Sequence, residues 1–353
     1  MSTVKLEVGR REWEVWMKST FVLVSALLLA TATPSAQANP FLGTWNIAGT
    51  GADANQIFWL ELKNDGGKLT SLFLNRTSHP IPLTAVKIEN NELIFQTGGT
   101  AEKPSGPEFH AKVVDGKLIG SYTMVPRPPA AGAPAPTTPP PAPRTVNFAG
   151  VRPPTFPAGN ANGKHEYGTP VMLYDAAAAK PLDEIWGSQG NRPVNWTVDA
   201  DHLLANPVPG GVNLVSKQKF TDFKVTVEYK LEPKSNSGIY LRGRYEIQVL
   251  DDVTDTTTEK YLTQAAIYGR TPPAKLASKA PGEWQTMEAI LVGNHVTVTL
   301  NGVKVHDNVV IGGVTGGTLD NDELAPGPLM IQGDHGHVWI RKAVVTPIAK
   351  AGK

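Results

Sequence analysis

The chain contains no cysteine. Disulfide staples, a thiolate nucleophile and a lipid-modified cysteine anchor are therefore excluded. Neither sign of charge is in surplus: 33 Lys and Arg face 32 Asp and Glu, for a net charge of +1. The basic residues are scattered, which argues against a polyanion partner and against nucleic acid above all. Long amphipathic helical patterns are scarce. There is no G-x-S-x-G elbow and no phosphate-binding glycine loop, so hydrolases built on either are disfavoured. Beyond one short N-terminal stretch, no segment is long and apolar enough to cross a bilayer.

What is present is glycine (34), proline (30) and many short alternating runs. Together they point to an all-β fold, and 353 residues allow two domains. The N-terminus reads as an export signal: Lys18, an apolar stretch over 21–30, and the small-x-small site Ala36-Gln37-Ala38. Cleavage is expected after Ala38, and the charged residues 1–16 place the true start at Met17. A membrane anchor fits less well, because the apolar run is too short to span. An exported chain without disulfides suggests a bacterial periplasmic or secreted protein, in which the sequons at Asn75 and Asn195 carry no meaning.

Residues 39–154 read as a small all-β domain, a barrel or sandwich. Hairpin turns are expected at Asn64-Asp65-Gly66-Gly67, Asn90-Asn91 and Asp115-Gly116. The tract 126–143, half of it proline, cannot form a core. It is read as a long loop inside this domain, with "TVNFAGVRPP" as the last strand beside "KLIGSYTMV". A linker over 155–168 then leads to a second domain over 169–350. "FLGTWNIAGT" resembles the opening of small lipocalin-like barrels, a weak motif.

The most informative stretch is "NSGIYLRGRYEIQVLDD", 236–252. Ile239, Leu241, Tyr245, Ile247 and Val249 share one parity; Tyr240, Arg242, Arg244, Glu246 and Gln248 share the other. A strand sends successive side chains to opposite faces, so the second set makes a polar row. The preceding run "FKVTVEYKLE" is expected to pair with it as an antiparallel hairpin, setting Glu228 opposite Arg242 and Lys224 opposite Glu246. A solvated outer face is the plain alternative. Tyr240, Gln248 and the planar bidentate groups favour a site.

This stretch, followed by "AAIYG", "PGEWQTMEAILVGNHVTVTLNG" and "GPLMIQGDHGHVWIRKAVV", resembles the 3-keto-disaccharide hydrolase family in order and spacing. The opening "VMLYDAAAAKPLDEIWGSQG" resembles the family's first strand and tryptophan, with Ala176 to Ala179 in place of an aspartate-glycine turn. The resemblance covers about 171–348. It implies a concanavalin-like jelly roll with the polar row on its concave face. It also implies cleavage of glycosides oxidised to a ketone at carbon 3: proton abstraction at carbon 2, expulsion of the carbon 1 substituent, then water addition. Fold alone does not give function.

Such a route needs a base, a group to stabilise the enolate oxygen, and a proton donor for the leaving oxygen. Glu246 and His335 are candidate bases. Arg242, held by Glu228, is the candidate enolate stabiliser. Gln248, Gln332 and Tyr240 are candidates to bind sugar hydroxyls, and Asp251 to bind hydroxyls or a cation. No cofactor is assigned. A divalent metal is another way to stabilise an enolate, but no strong ligand spacing occurs. The acidic stretch "LDNDE" at 319–323 reads as a solvated loop. The partner is a carbohydrate, and an oxidoreductase upstream would have to supply the ketone. Two other readings stay open: a noncatalytic carbohydrate-binding module, and a cell-envelope adhesion protein. The adhesion reading gains if Glu228, Arg242, Glu246 and His335 fall on more than one face.

Overall fold

The computed structural model describes residues 39–100, 102–125, 142–178, 180–254, 256 and 258–352. The expected export signal and most of the proline tract lie outside them.

Short strands with one apolar face build an eight-stranded antiparallel sheet: β1 (Gly43–Gly49), β2 (Ile57–Asp65), β3 (Lys68–Asn75), β4 (Ala85–Glu89), β5 (Glu92–Gly99), β6 (Pro104–Val114), β7 (Lys117–Met124) and β8 (Arg144–Val151). Its order is β3-β2-β1-β8-β7-β6-β5-β4, with β8 between β1 and β7. The turn after β2 is tied by Asn64 Oδ1, which accepts from Gly67 N at 2.8 Å. One face is packed with rings: Phe58, Phe73, Phe95, Phe109, Tyr122 and Phe148 lie in a chain with centroids 4.5–6.0 Å apart. Each such buried ring is worth about 1.5–3 kcal/mol in transfer free energy. The connection between β3 and β4 runs through 76–84 and touches its own sheet at an isolated bridge, Phe73 to Ile81.

The rest of the chain folds as a jelly-roll sandwich. One sheet contains β9 (Glu166–Tyr167), β10 (Val171–Asp175), β12 (Thr197–Val198), β13 (Leu204–Ala205), β15 (Phe223–Leu231), β18 (Gln285–Val292), β19 (His295–Leu300), β20 (Val303–Val310) and β22 (Val338–Lys350). The other runs β11-β14-β21-β16-β17, with β11 (Trp186–Ser188), β14 (Leu214–Phe220), β16 (Asn236–Leu241), β17 (Tyr245–Leu250) and β21 (Gly327–Ile331). Strict alternation serves both sheets. Val225, Val227 and Tyr229 of β15 face Ile239, Leu241, Tyr245 and Ile247 across one continuous core.

The expected pairing of β15 with the stretch after it does not occur. β15 lies between β18 and β22, so Glu228 is opposite Thr286 and Lys342, and Lys224 is opposite Ile290 and Thr346. Residues 232–235 carry the chain from one sheet to the other. The polar stretch is not one strand either. It is a hairpin, β16–β17, turning at Arg242 and Gly243, whose φ values are 52° and 67°. An alternating strand fits any partner with an apolar face, so its pattern alone does not choose between a neighbour in its own sheet and one across the core.

Candidate functional site

The β16–β17 hairpin sets Tyr240 directly opposite Glu246, and Gly238 opposite Gln248. The apolar members of both strands point into the core, so these residues share the other face. They form the floor of a pocket of about 330 Å³. Tyr240, Glu246 and Gln248 are 2%, 3% and 3% exposed. Gly238 makes room for the acid: a Cβ there would collide with the Glu246 carboxyl. Glu246 N donates to Thr315 Oγ1 at 2.8 Å, and Glu246 O accepts from Tyr268 N at 3.0 Å. The carboxyl-bearing residue is therefore fixed from three sides.

Asp334 and His335 follow β21 and stand exposed at the rim. His335 Nδ1 and Asp334 Oδ1 are 2.8 Å apart. Gln332, Asn236, Gln189, Asn213 and Tyr268 line the walls. The amide oxygens of Gln248, Gln332 and Asn236 are buried with no partner in the protein. Buried polar atoms are nearly always hydrogen-bonded, so these three acceptors invite a ligand rich in hydroxyl donors.

Burial raises the Glu246 carboxyl to about 8, opposed by its hydrogen bond with Tyr240 and reinforced by the charge of Asp334. At neutral pH it is therefore mostly a carboxylic acid. The Tyr240 hydroxyl donates to Gly316 O at 3.0 Å and lies within hydrogen-bond reach of the Glu246 carboxyl. Burial, with the Glu246 charge, pushes Tyr268 up to about 12, so it stays an O–H donor. Its hydrogen bond to Asp334 raises the His335 imidazole above its ordinary value, and the same bond holds the Asp334 carboxyl below the usual carboxylate range. The site thus holds a neutral acid on the floor and a carboxylate-oriented imidazole at the rim. Such a divergence of titrating groups marks acid and base roles.

Five residues expected from the sequence meet here: Glu246, His335, Gln248, Gln332 and Tyr240. Three do not. Arg242 belongs to the hairpin turn, where its guanidinium donates to Gly293 O and lies 5.3 Å from the Tyr245 ring. Glu228 is on the opposite sheet and accepts from Arg341 Nε at 2.6 Å. Asp251 organises its own loop, accepting from the backbone N–H groups of Lys234, Val253 and Thr254. The four ionisable residues are thus scattered over more than one face, and only Glu246 and His335 remain together. The acidic stretch is also not a solvated loop. Glu323 is 2% exposed and accepts from Asn46 Nδ2 and the Tyr245 hydroxyl, while Asp320 pairs with Arg244. Among the described residues no group of three or more His, Asp or Glu converges as a metal ligand set.

Asp334 and Tyr268 were missed although both sit in recognisable segments, "GDHGH" and "AAIYG". Asn236, Gln189, Asn213 and Thr77 carried no signal; the last comes from the first sheet's β3–β4 connection.

Residues 179–346 match the family model described as 3-keto-alpha-glucoside-1,2-lyase-like domain. The matched span lies within the sandwich. The match supports a carbohydrate-active enzyme, and every lining residue of the pocket but Thr77 falls in the matched span. Several solved structures are similar. One is a provisionally named glycosyl hydrolase from Parabacteroides distasonis ATCC 8503, 25% identical with a TM-score of 0.45, over 56% of this chain and 92% of that one. SCLam, a non-specific endo-beta-1,3(4)-glucanase, is 9% identical with a TM-score of 0.33, over 54% of this chain and 98% of its own. The carbohydrate binding module CBM66 from Bacillus subtilis is 10% identical with a TM-score of 0.26, over 48% and 95%. No curated protein matches the chain.

Proposed function

We propose that this protein is an exported bacterial enzyme, periplasmic or secreted, that cleaves 3-keto-glycosides or 3-keto-disaccharides by elimination and water addition. The observation that carries the reading is the buried, neutral Glu246 beside the Asp334–His335 pair, in a pocket lined by unpartnered amide oxygens. The family match supports the substrate class. The scatter of Glu228 and Arg242 takes away two expected participants and would suit an adhesion protein. An adhesive surface, however, has no use for a carboxyl held neutral at the bottom of a pocket.

The ketone at carbon 3 acidifies the hydrogen on carbon 2. His335, oriented by Asp334 through Nδ1, offers Nε2 as the base that removes this proton. The electron pair forms the enolate, whose oxygen takes a hydrogen bond from the Tyr268 hydroxyl in place of the expected Arg242. The enolate then collapses to the enone, breaking the bond from carbon 1 to the glycosidic oxygen. Glu246 gives its proton to that leaving oxygen. Water adds back with oxygen at carbon 1 and a proton at carbon 2. In that step Glu246 regains its proton from the water and His335 returns its own to carbon 2. Atoms balance as net hydrolysis and no oxidant is consumed. The ketone itself has to come from an earlier alcohol oxidation by another enzyme. Two carboxylates at a fixed spacing, as ordinary glycosidases use, are not required.

The test is reducing-sugar release by residues 39–353 from 3-keto-trehalose and a 3-keto-β-glucoside, each beside its unoxidised parent, with and without chelator. Cleavage of the keto compounds alone is expected, and Glu246→Gln should abolish it. Cleavage of the parents at equal rate would refute the elimination route. Sugar binding without any cleavage would make the sandwich a binding module.

A further inference from the structure

The pocket is not closed by the sandwich alone. Thr77, in the connection between β3 and β4, lines it beside Gln189 and Gly317. Three contacts seat this connection on the sandwich. Gly317 N donates to Arg76 O at 2.7 Å. Ser78 O lies against Gly316 so closely that a Cβ there would collide with it. The His79 ring packs on Tyr261 and Tyr268, with centroids 5.5 Å and 6.3 Å away. Behind them Arg270 lies over the Trp59 ring at 4.1 Å, and Asn46 Nδ2 donates to Glu323 at 2.7 Å. The loop is held from both ends, not merely adjacent.

We propose that residues 76–80 of the first sheet are the outer wall of the sugar pocket, with Thr77 contacting the group attached to the oxidised ring, so that the site admits short glycosides end-on and excludes the interior of a polysaccharide. This rests on the pocket being the sugar site proposed above. The buried floor of Tyr240, Glu246 and Gln248 takes the reacting ring, because the proton donor is there. The floor is the buried end of the pocket and its mouth is the exposed end, so a group attached to a ring seated on the floor points toward the rim. Thr77, Asp334 and His335 are the exposed lining residues there.

The experiment measures calorimetric binding of methyl glucoside and trehalose to residues 39–353, wild type, Thr77→Trp and Thr77→Val. The 3-keto forms of both sugars are measured in a Glu246→Gln background, where turnover does not consume them. Thr77 is exposed, so both variants should fold with an unchanged melting midpoint. Bulk at position 77 should weaken the disaccharides at least about tenfold and the single-ring sugars less than about twofold. Loss of the hydroxyl alone should weaken the disaccharides by about two- to fivefold. Equal effects on one-ring and two-ring sugars, or none on either, would overturn the wall while leaving the proposed function standing. No binding of any sugar would overturn both.

Discussion

Glu246 is the proposed proton donor, and its burial makes a measurable demand on stability. Its carboxyl titrates at about 8 in the folded chain, against an ordinary 4.5. The pKa is raised on folding, so the folded state keeps a proton that the unfolded chain releases. Stability is therefore complete below pH 4.5 and falls as pH rises toward 8. The slope is about 1.4 kcal/mol per pH unit, which gives a penalty of about 3 kcal/mol at pH 7 and somewhat more above pH 8. Glu246→Gln removes the titration and keeps the shape. The amide keeps a hydrogen-bonding partner beside the Tyr240 hydroxyl. The variant should be inactive yet more stable than wild type by about 3 kcal/mol at pH 7, roughly 5–10 °C in melting midpoint for a chain of this size. The gain should shrink steadily toward zero near pH 4.5. Thermal denaturation of both proteins from pH 4.5 to 9 reads this directly. A variant no more stable at pH 8, or an offset that does not change with pH, would refute the buried neutral carboxyl and its role as proton donor.

Other expectations follow from the same geometry. Gly238→Ala places a methyl where the Glu246 carboxyl lies, so kcat should fall on the order of 10²-fold through misplacement of the acid, read by steady-state kinetics on a keto-glycoside. Asp334→Asn removes the partner that raises His335 and the charge that helps to raise Glu246; both limbs of the pH profile of kcat/KM should move to lower pH, and a fixed acid limb would remove His335 as the base. Glu228→Gln breaks a half-exposed ion pair with Arg341 on the far sheet. It should cost about 0–1 kcal/mol in urea denaturation and leave turnover within about twofold. A large loss of turnover there would return Glu228 to the site.

The alternation in 236–250 contained much of the site. It separated Ile239, Leu241, Tyr245 and Ile247 from Tyr240, Glu246 and Gln248 correctly, because burial of one face forces a period of two. It failed at Arg242 and Arg244 because Arg-Gly is an uncommon hairpin turn, so the parity was carried through a reversal in the chain. It failed at Glu228 because an alternating strand matches any apolar face, and β15 found its partners at 285–292 and 338–350, far along the chain. The hairpins at 64–67, 90–91 and 115–116 were legible because their turn residues are local and their partners adjacent.

From the sequence alone came the all-β class, the jelly roll through its family resemblance, the polar face and five of the pocket residues. These depend on short-range pattern, which the chain writes in order. Tertiary structure alone decided which acids were neutral, since burial of Glu246 comes from Gly238, Tyr240, Thr315 and Tyr268, segments up to 77 positions apart in number. It also decided that Asp334 joins His335 in the pocket, that Arg242 and Glu228 leave it, and that Thr77 enters from the other sheet. Proximity between distant segments is set by how whole sheets pack, and no local pattern encodes it.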